Sequence, residues 1–409
     1  MIVLVGGDLV LPDRILSSAS LLIDGTRIAA IEPRDRIDAG GATIVDVHDA
    51  WVVPGLIDVH VHGVDGVDTL DAGNPVADMA ARLPRYGVTA FCPTTVACPP
   101  AALRAVLGAV AQSRAARPRA SARVLPAHLE SNFLNPEYRG AQPAECLRLP
   151  DVGPAEAGRH VRPGHRERDG EFSARDILDV IASARPDVGI VTLAPELPGG
   201  VELVRTLVAS GHRVSLGHSG ANIDEAMAAI DAGARHATHL FNRMTPMTHR
   251  APGIAGAVLA RDEVAAELIS DGYHVHPAMS RVAIASKGTD RIMAITDGTA
   301  GAGLPVGSEA RLGGRRIRVT DTAAVLDEGT LAGSTLTMDR AFRTIVSVFG
   351  LSVVDAAIMC STTPARELGL TGFGLLAEGA VADVVVLDRG FRVGRTFIDG
   401  REVFSRGRG

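Results

Sequence analysis

Two rhythms of apolar and polar positions run along the chain. Over residues 1–50, short apolar runs at 2–5, 20–23, 28–31 and 43–47 are broken by turns, with Asp24-Gly25 between two of them. An Asp-Gly pair flanked by apolar runs is a strong hairpin signal. Residues 382–388, 395–398 and 402–404 repeat that character around Asp399-Gly400, so both chain ends predict small-sheet material. Between the ends the pattern changes to buried apolar strands alternating with Ala-rich helical stretches. Candidate strands cover 55–62, 87–94, 123–130, 188–194, 213–218, 236–240, 267–271 and 291–297, and helical candidates such as 101–113, 174–183, 201–210 and 223–232 lie between them. Eight strands interleaved with helices predict repeated βα units closing into a parallel α/β barrel. Residues 151–172 break the rhythm: rich in Gly, Pro and charge and without periodicity, they predict a long loop, either a solvated insertion or a lid over the pocket.

Composition narrows the class. The 409 residues are 46% hydrophobic and 22% charged, which suits a folded globular chain and argues against disorder. A net charge of −6 with only 3% aromatic residues supplies neither the basic footprint nor the stacking surface of a nucleic-acid binder. Cys92, Cys98, Cys146 and Cys360 are widely spread, which fits neither a disulfide framework nor a paired-cysteine zinc site and suits a reducing cytoplasm. The N-terminus has no basic region and Asp8 interrupts its apolar run, so no export signal is expected. No apolar run approaches the roughly 20 residues of a membrane span.

The chemistry gathers at predicted strand ends. His60 and His62 close the first barrel strand, and residues i and i+2 of a strand face one side, so both imidazoles point together. Glu130 closes the third strand, His218 the fifth, His239 the sixth and Asp297 the eighth. Singly, each reads equally well as a turn former, a buried histidine or an ion-pair partner. Jointly they do not, because the C-terminal strand ends of a parallel barrel converge on one mouth where active sites sit. His48, His128, His160, His165, His212, His236, His249 and His276 lack that placement and are left structural or peripheral.

A two-metal site of this barrel type needs an anionic bridge, commonly a carboxylated lysine on the fourth strand. Lys287 is the only lysine and lies just before the eighth strand. Glu130 is then the available bridge, with His60, His62 and Asp297 on one metal and His218 and His239 on the other. These donors suit zinc, iron(II) or manganese alike. Such a site prepares water for attack on an amide or ester, and Asp297 is placed to carry the proton.

The residues resemble the amidohydrolase superfamily and, within it, the N-acetylglucosamine-6-phosphate deacetylases. The matching stretches include 54–63, 87–94, 128–136, 191–196, 217–219, 237–242, 250–257, 271–274, 296–297 and 331–334, nearly the whole chain apart from the insertion. The resemblance implies a (β/α)8 TIM-like barrel over 53–365 beside a small β-sandwich built from 1–52 and 366–409. It implies that Glu130, His218 and His239 hold one metal, that His60 and His62 equip the chain for a second, and that Asp297 is the catalytic acid/base. It places His274 on the sugar and scissile amide, Asn242 near a phosphate, and Arg250 reaching a neighbouring subunit's phosphate, hence a homodimer. The chain departs from the family pattern at Ser131, Asn132, Gln142 and Arg243, all expected near the substrate. The activity implied is metal-dependent removal of the N-acetyl group of an amino sugar phosphate, N-acetyl-D-glucosamine 6-phosphate first. The alternatives are another N-acyl amino sugar or amide, or a non-catalytic barrel scaffold; a cyclic-amide hydrolase is disfavoured by the missing lysine.

Overall fold

The structure is a computed structural model that describes residues 1–17, 19–33, 41–118, 120–150 and 172–407. Eight parallel strands form its centre: Leu56–Val61, Val88–Thr95, Ala127–Glu130, Val188–Leu193, Arg213–Leu216, His236–Ala237, Ala265–Ile269 and Ile292–Ile295. Each pairs with the next in parallel register. The eighth returns to the first through a parallel bridge between Val61 and Gly298, where Asp297 N–H donates to His60 O at 2.9 Å and His62 N–H to Gly298 O at 2.8 Å. All six residues of the first strand and all eight of the second are buried, as strands covered on both faces must be.

Helices cover the barrel where the sequence places them. Ala174–Ser183 buries Ala174, Ile177, Val180 and Ile181, one face at helical spacing, and begins with a capping box between Ser173 and Asp176. Asn222 and Glu225 form the same device at Ile223–Asp231. The strand expected over 123–130 divides into Arg123–Val124 and Ala127–Glu130, with Pro126, which has no N–H for a ladder, at the break. The strand expected over 236–240 shortens to His236–Ala237, because His239 and Phe241 adopt positive φ and turn the chain out of the sheet.

Both chain ends build the second layer. One sheet orders Arg27–Pro33, Ala19–Asp24, Ile2–Val5 and Thr43–Asp46; the other orders Arg401–Ser405, Val393–Ile398, Val384–Asp388, Ala50–Pro54, Asp8–Val10 and Ile15–Leu16. Leu4, Leu21, Ile23 and Ile28 from the first share one apolar core with Leu9, Val52, Val384 and Phe397 from the second, which makes a sandwich. The sequence reading did not anticipate a three-stranded antiparallel meander, Glu309–Leu312, Arg315–Val319 and Ala324–Leu326, inserted after the last barrel strand. The loop or lid expected at 151–172 lies outside the described residues except for Phe172.

Candidate active site

The mouth of the barrel gathers the strand-end residues. His60 ends the first strand region with His62 just beyond it, and Glu130 ends the third. His218, His239 and Asp297 each sit two residues past their strands, with left-handed φ of 49°, 32° and 48°. Such backbone costs roughly 1–3 kcal/mol per residue and persists only where the surroundings enforce it. At Asp297 the enforcement is visible: Ser334 N–H donates to Asp297 O at 2.8 Å, and a Cβ on Gly333 would come 2.8 Å from that same carbonyl oxygen, so only glycine fits there.

Six side chains then meet. Glu130 Oε1 lies 3.0 Å from His218 Nε2 and 2.9 Å from His239 Nε2; its Oε2 lies 3.4 Å from His62 Nε2. Asp297 Oδ1 lies 3.4 Å from His60 Nε2 and 3.3 Å from His62 Nε2. The imidazole nitrogens also face each other, His60 to His62 at 3.2 Å and His218 to His239 at 3.0 Å. Nitrogen lone pairs that converge this closely need a positive charge between them. The edge of a tetrahedron with metal–nitrogen distances near 2.0–2.1 Å is about 3.3 Å, and the separations here scatter around it. Two triads, His60–His62–Asp297 and Glu130–His218–His239, thus have donor sets that fit a divalent cation, each with its atoms within 4.8 Å of one another.

The electrostatics agree. Burial pushes the His60 pKa down to about 3, which keeps the ring neutral and ligand-like. For His62, burial is outweighed by Asp297 and Glu130, which lift its pKa to about 10; Glu130 does the same for His239, to about 9. Burial would raise Glu130, but His218, His239 and His62 hold it well below the usual carboxylate range. Two buried carboxylates that pull protons onto neighbouring rings are a site that a cation satisfies by displacing those protons.

Supporting contacts fix the rings. His60 Nδ1–H donates to the fully buried Glu267 at 2.8 Å, His218 Nδ1–H donates to Tyr138 O at 2.9 Å, and each leaves Nε2 for the centre. Asp58, buried below, accepts from Thr296 Oγ1 at 2.6 Å and ties the first strand to the eighth. Sequence reasoning missed Glu267 and Asp58; the available signal was an acidic residue inside an otherwise apolar strand.

Above the cluster opens a cavity of about 520 Å³. Gln142, Asn242, Arg243 and His274 line it, together with Phe241 and Leu312, which the sequence did not indicate. Gln142 also grips the cluster, its amide N–H donating to Glu130 Oε2 and its oxygen accepting from Ala97 N–H at 2.7 Å. His274 is held by Asp271 through Nδ1 at 2.6 Å, while its buried Nε2 has no partner among the described residues. The expectation for Ser131 and Asn132 needs correcting. Ser131 and Asn132 lie outside the cavity wall: Ser131 Oγ donates to Thr192 O at 2.6 Å, and Asn132 Nδ2 donates to Cys98 O at 2.9 Å and Cys146 O at 2.7 Å. Their polar groups thus serve buried backbone carbonyls rather than the cavity. Arg250 is exposed and does not line the cavity of its own chain.

Residues 51–403 match the amidohydrolase family. The chain belongs to the amidohydrolase family. Among amidohydrolases it is 36% identical to the N-acetylgalactosamine-6-phosphate deacetylase of Escherichia coli O157:H7 over 93% of both chains. It is 34% identical to the N-acetylglucosamine-6-phosphate deacetylase of Lysinibacillus sphaericus over 89% of this chain and 88% of that one. The fold superposes, with a TM-score of 0.85 at 31% identity and 99% coverage of both chains, on a mutant N-acetyl-D-glucosamine-6-phosphate deacetylase from Mycobacterium smegmatis in complex with N-acetyl-D-glucosamine-6-phosphate. The resemblance drawn from the sequence is therefore sound: this amidohydrolase is a metal-dependent hydrolase with the fold of those deacetylases.

Proposed function

We propose that this amidohydrolase removes the N-acetyl group of an amino sugar 6-phosphate, with N-acetyl-D-glucosamine 6-phosphate as the first substrate and glucosamine 6-phosphate and acetate as products. The observation that carries the reading is the cavity of about 520 Å³ with the six-residue cluster on its floor and the unpartnered His274 Nε2 in its wall. The catalytic assignment takes His60, His62 and Asp297 on one cation and Glu130, His218 and His239 on the other, of zinc, iron(II) or manganese. When bound, such ions bring the pKa of adjacent water down towards roughly 7 and polarise a carbonyl. Asp297 receives the proton of the attacking water and passes it to the leaving nitrogen as the carbon–nitrogen bond breaks. His274 Nε2 contacts the sugar and the amide, and Asn242 stands at the phosphate end.

A second reading, the galactosamine epimer, is supported by the 36% identity to an N-acetylgalactosamine-6-phosphate deacetylase. A homodimer in which Arg250 crosses to the neighbouring subunit is supported by the exposure of Arg250 and of the apolar Met247 in the same loop. Four buried free thiols support a cytoplasmic setting.

The test is metal content together with acetate release from both epimers on one preparation. Two cations per chain and acetate release abolished by chelation support the reading. Acetate release that survives complete metal removal would falsify the mechanism, and metal without acetate from either epimer would remove the substrate assignment.

A further inference from the structure

We infer that Arg243 is the charged donor that recognises the substrate's anionic group from within the same chain, making it a specificity-determining residue. The inference rests on the phosphorylated substrate proposed above.

Arg243 lines the cavity, and its guanidinium makes no hydrogen bond or ion pair among the described residues. An unpaired guanidinium at the wall of a cavity is free to take an anionic ligand. Its position is fixed. Arg243 O accepts from Ser219 N–H at 3.0 Å, one residue after His218, so the backbone is pinned beside the metal cluster. The side chain then lies across Gly140: a Cβ there would stand 2.7 Å from Arg243 Nε and 3.2 Å from its Cδ. Glycine at 140, itself at φ +57°, therefore opens the track along which the arginine reaches.

The backbone under Arg243 adds a second, independent feature. His239, Phe241 and Arg243 have positive φ of 32°, 75° and 51°, while Leu240 and Asn242 between them do not. Between them, Leu240 N–H donates to Glu267 O at 2.8 Å and Asn242 N–H to His239 O at 2.9 Å. The N–H groups of Phe241 and Arg243 have no acceptor among the described residues. The guanidinium beside them offers a planar pair of donors matched to phosphate oxygens. Arg250 is not in the cavity of its own chain, so Arg243 is the guanidinium this chain offers to its own substrate.

The test compares metal-loaded wild type, Arg243→Ala and Arg243→Lys on N-acetyl-D-glucosamine 6-phosphate and on unphosphorylated N-acetyl-D-glucosamine, and measures inorganic phosphate binding by calorimetry. Arg243→Ala is expected to raise KM for the phosphorylated sugar about 10- to 100-fold, the loss of a hydrogen bond to a charged group, with kcat changed far less. Phosphate binding should weaken in parallel, and Arg243→Lys should recover part of both. Unchanged KM and unchanged phosphate binding in Arg243→Ala would overturn the inference. If wild type releases acetate from neither sugar, the substrate reading fails, and the calorimetry alone still decides for or against Arg243.

Discussion

Glu267 touches nothing in the cavity, yet it decides which nitrogen of His60 faces the cluster. By accepting the Nδ1 proton at 2.8 Å it leaves the Nε2 lone pair pointing at His62 and Asp297. Outer carboxylates of this kind are worth about 10- to 100-fold in metal affinity. Glu267→Gln should therefore weaken the cation held by His60, His62 and Asp297 by that factor and spare the one at Glu130, His218 and His239. Metal titration followed by elemental analysis checks this, and equal loss from both positions would sink it. Asp297→Asn should keep the fold and lower kcat by about 10²- to 10⁴-fold, the usual worth of a positioned acid/base, in a steady-state assay at matched metal content. The ligands themselves were legible in the sequence because each falls at a strand end. Glu267 was not, because its partner lies 207 residues away and no local pattern links them. Ser131 and Asn132 were misread because the chain bends after Glu130, and polarity alone does not tell which way a side chain then turns.

At the scale of elements, Asn132 is a staple. It holds the loop after the second strand, through Cys98, to the segment that carries Gln142, through Cys146. Asn132→Ala leaves two buried carbonyls without donors and should cost about 1–3 kcal/mol of stability, read as a lower denaturant midpoint with the slope unchanged. A rise in KM with stability intact would show instead that Asn132 meets substrate. All eight barrel strands were legible as apolar runs between helical stretches, although their ends shifted where proline or left-handed backbone intervened. The three-stranded meander was not. Its strands carry Arg311, Arg315, Arg316 and Arg318 on exposed or half-exposed positions, so no buried run announced it, and only the Gly313-Gly314 turn hinted at a hairpin. The miss mattered because Leu312 closes one wall of the cavity.

Across the whole molecule, the face opposite the active site is clamped by Glu367. Its carboxylate meets Arg291 at 3.1 Å, Arg366 at 2.8 Å and His236 at 3.6 Å, and its carbonyl accepts from Arg213 at 2.6 Å. These contacts link the last helix, Thr363–Glu367, to the starts of the fifth, sixth and eighth strands. Burial works against ionisation, but His236 and Arg366 pull the pKa from 4.5 to about 2. A depressed carboxylate stabilises the fold above its unfolded pKa and loses that contribution as pH falls through the folded one. The stability gap between wild type and Glu367→Gln, about 1–3 kcal/mol for a pair between exposed and buried, should hold above about pH 4.5 and shrink towards pH 2. Thermal melts across that window check it, and a gap independent of pH would refute it.

The sandwich carries one more consequence, for synthesis. Ala50–Pro54 finds its antiparallel neighbour only in Val384–Asp388. At roughly 5–20 residues per second, translation needs about 20–60 seconds to bring that partner out of the ribosome. For that interval Trp51, Val52 and Val53 present an unpaired apolar strand edge. Early docking of Asp8–Val10 covers only the opposite edge, so this one stays open to wrong partners until Val384–Asp388 is synthesised.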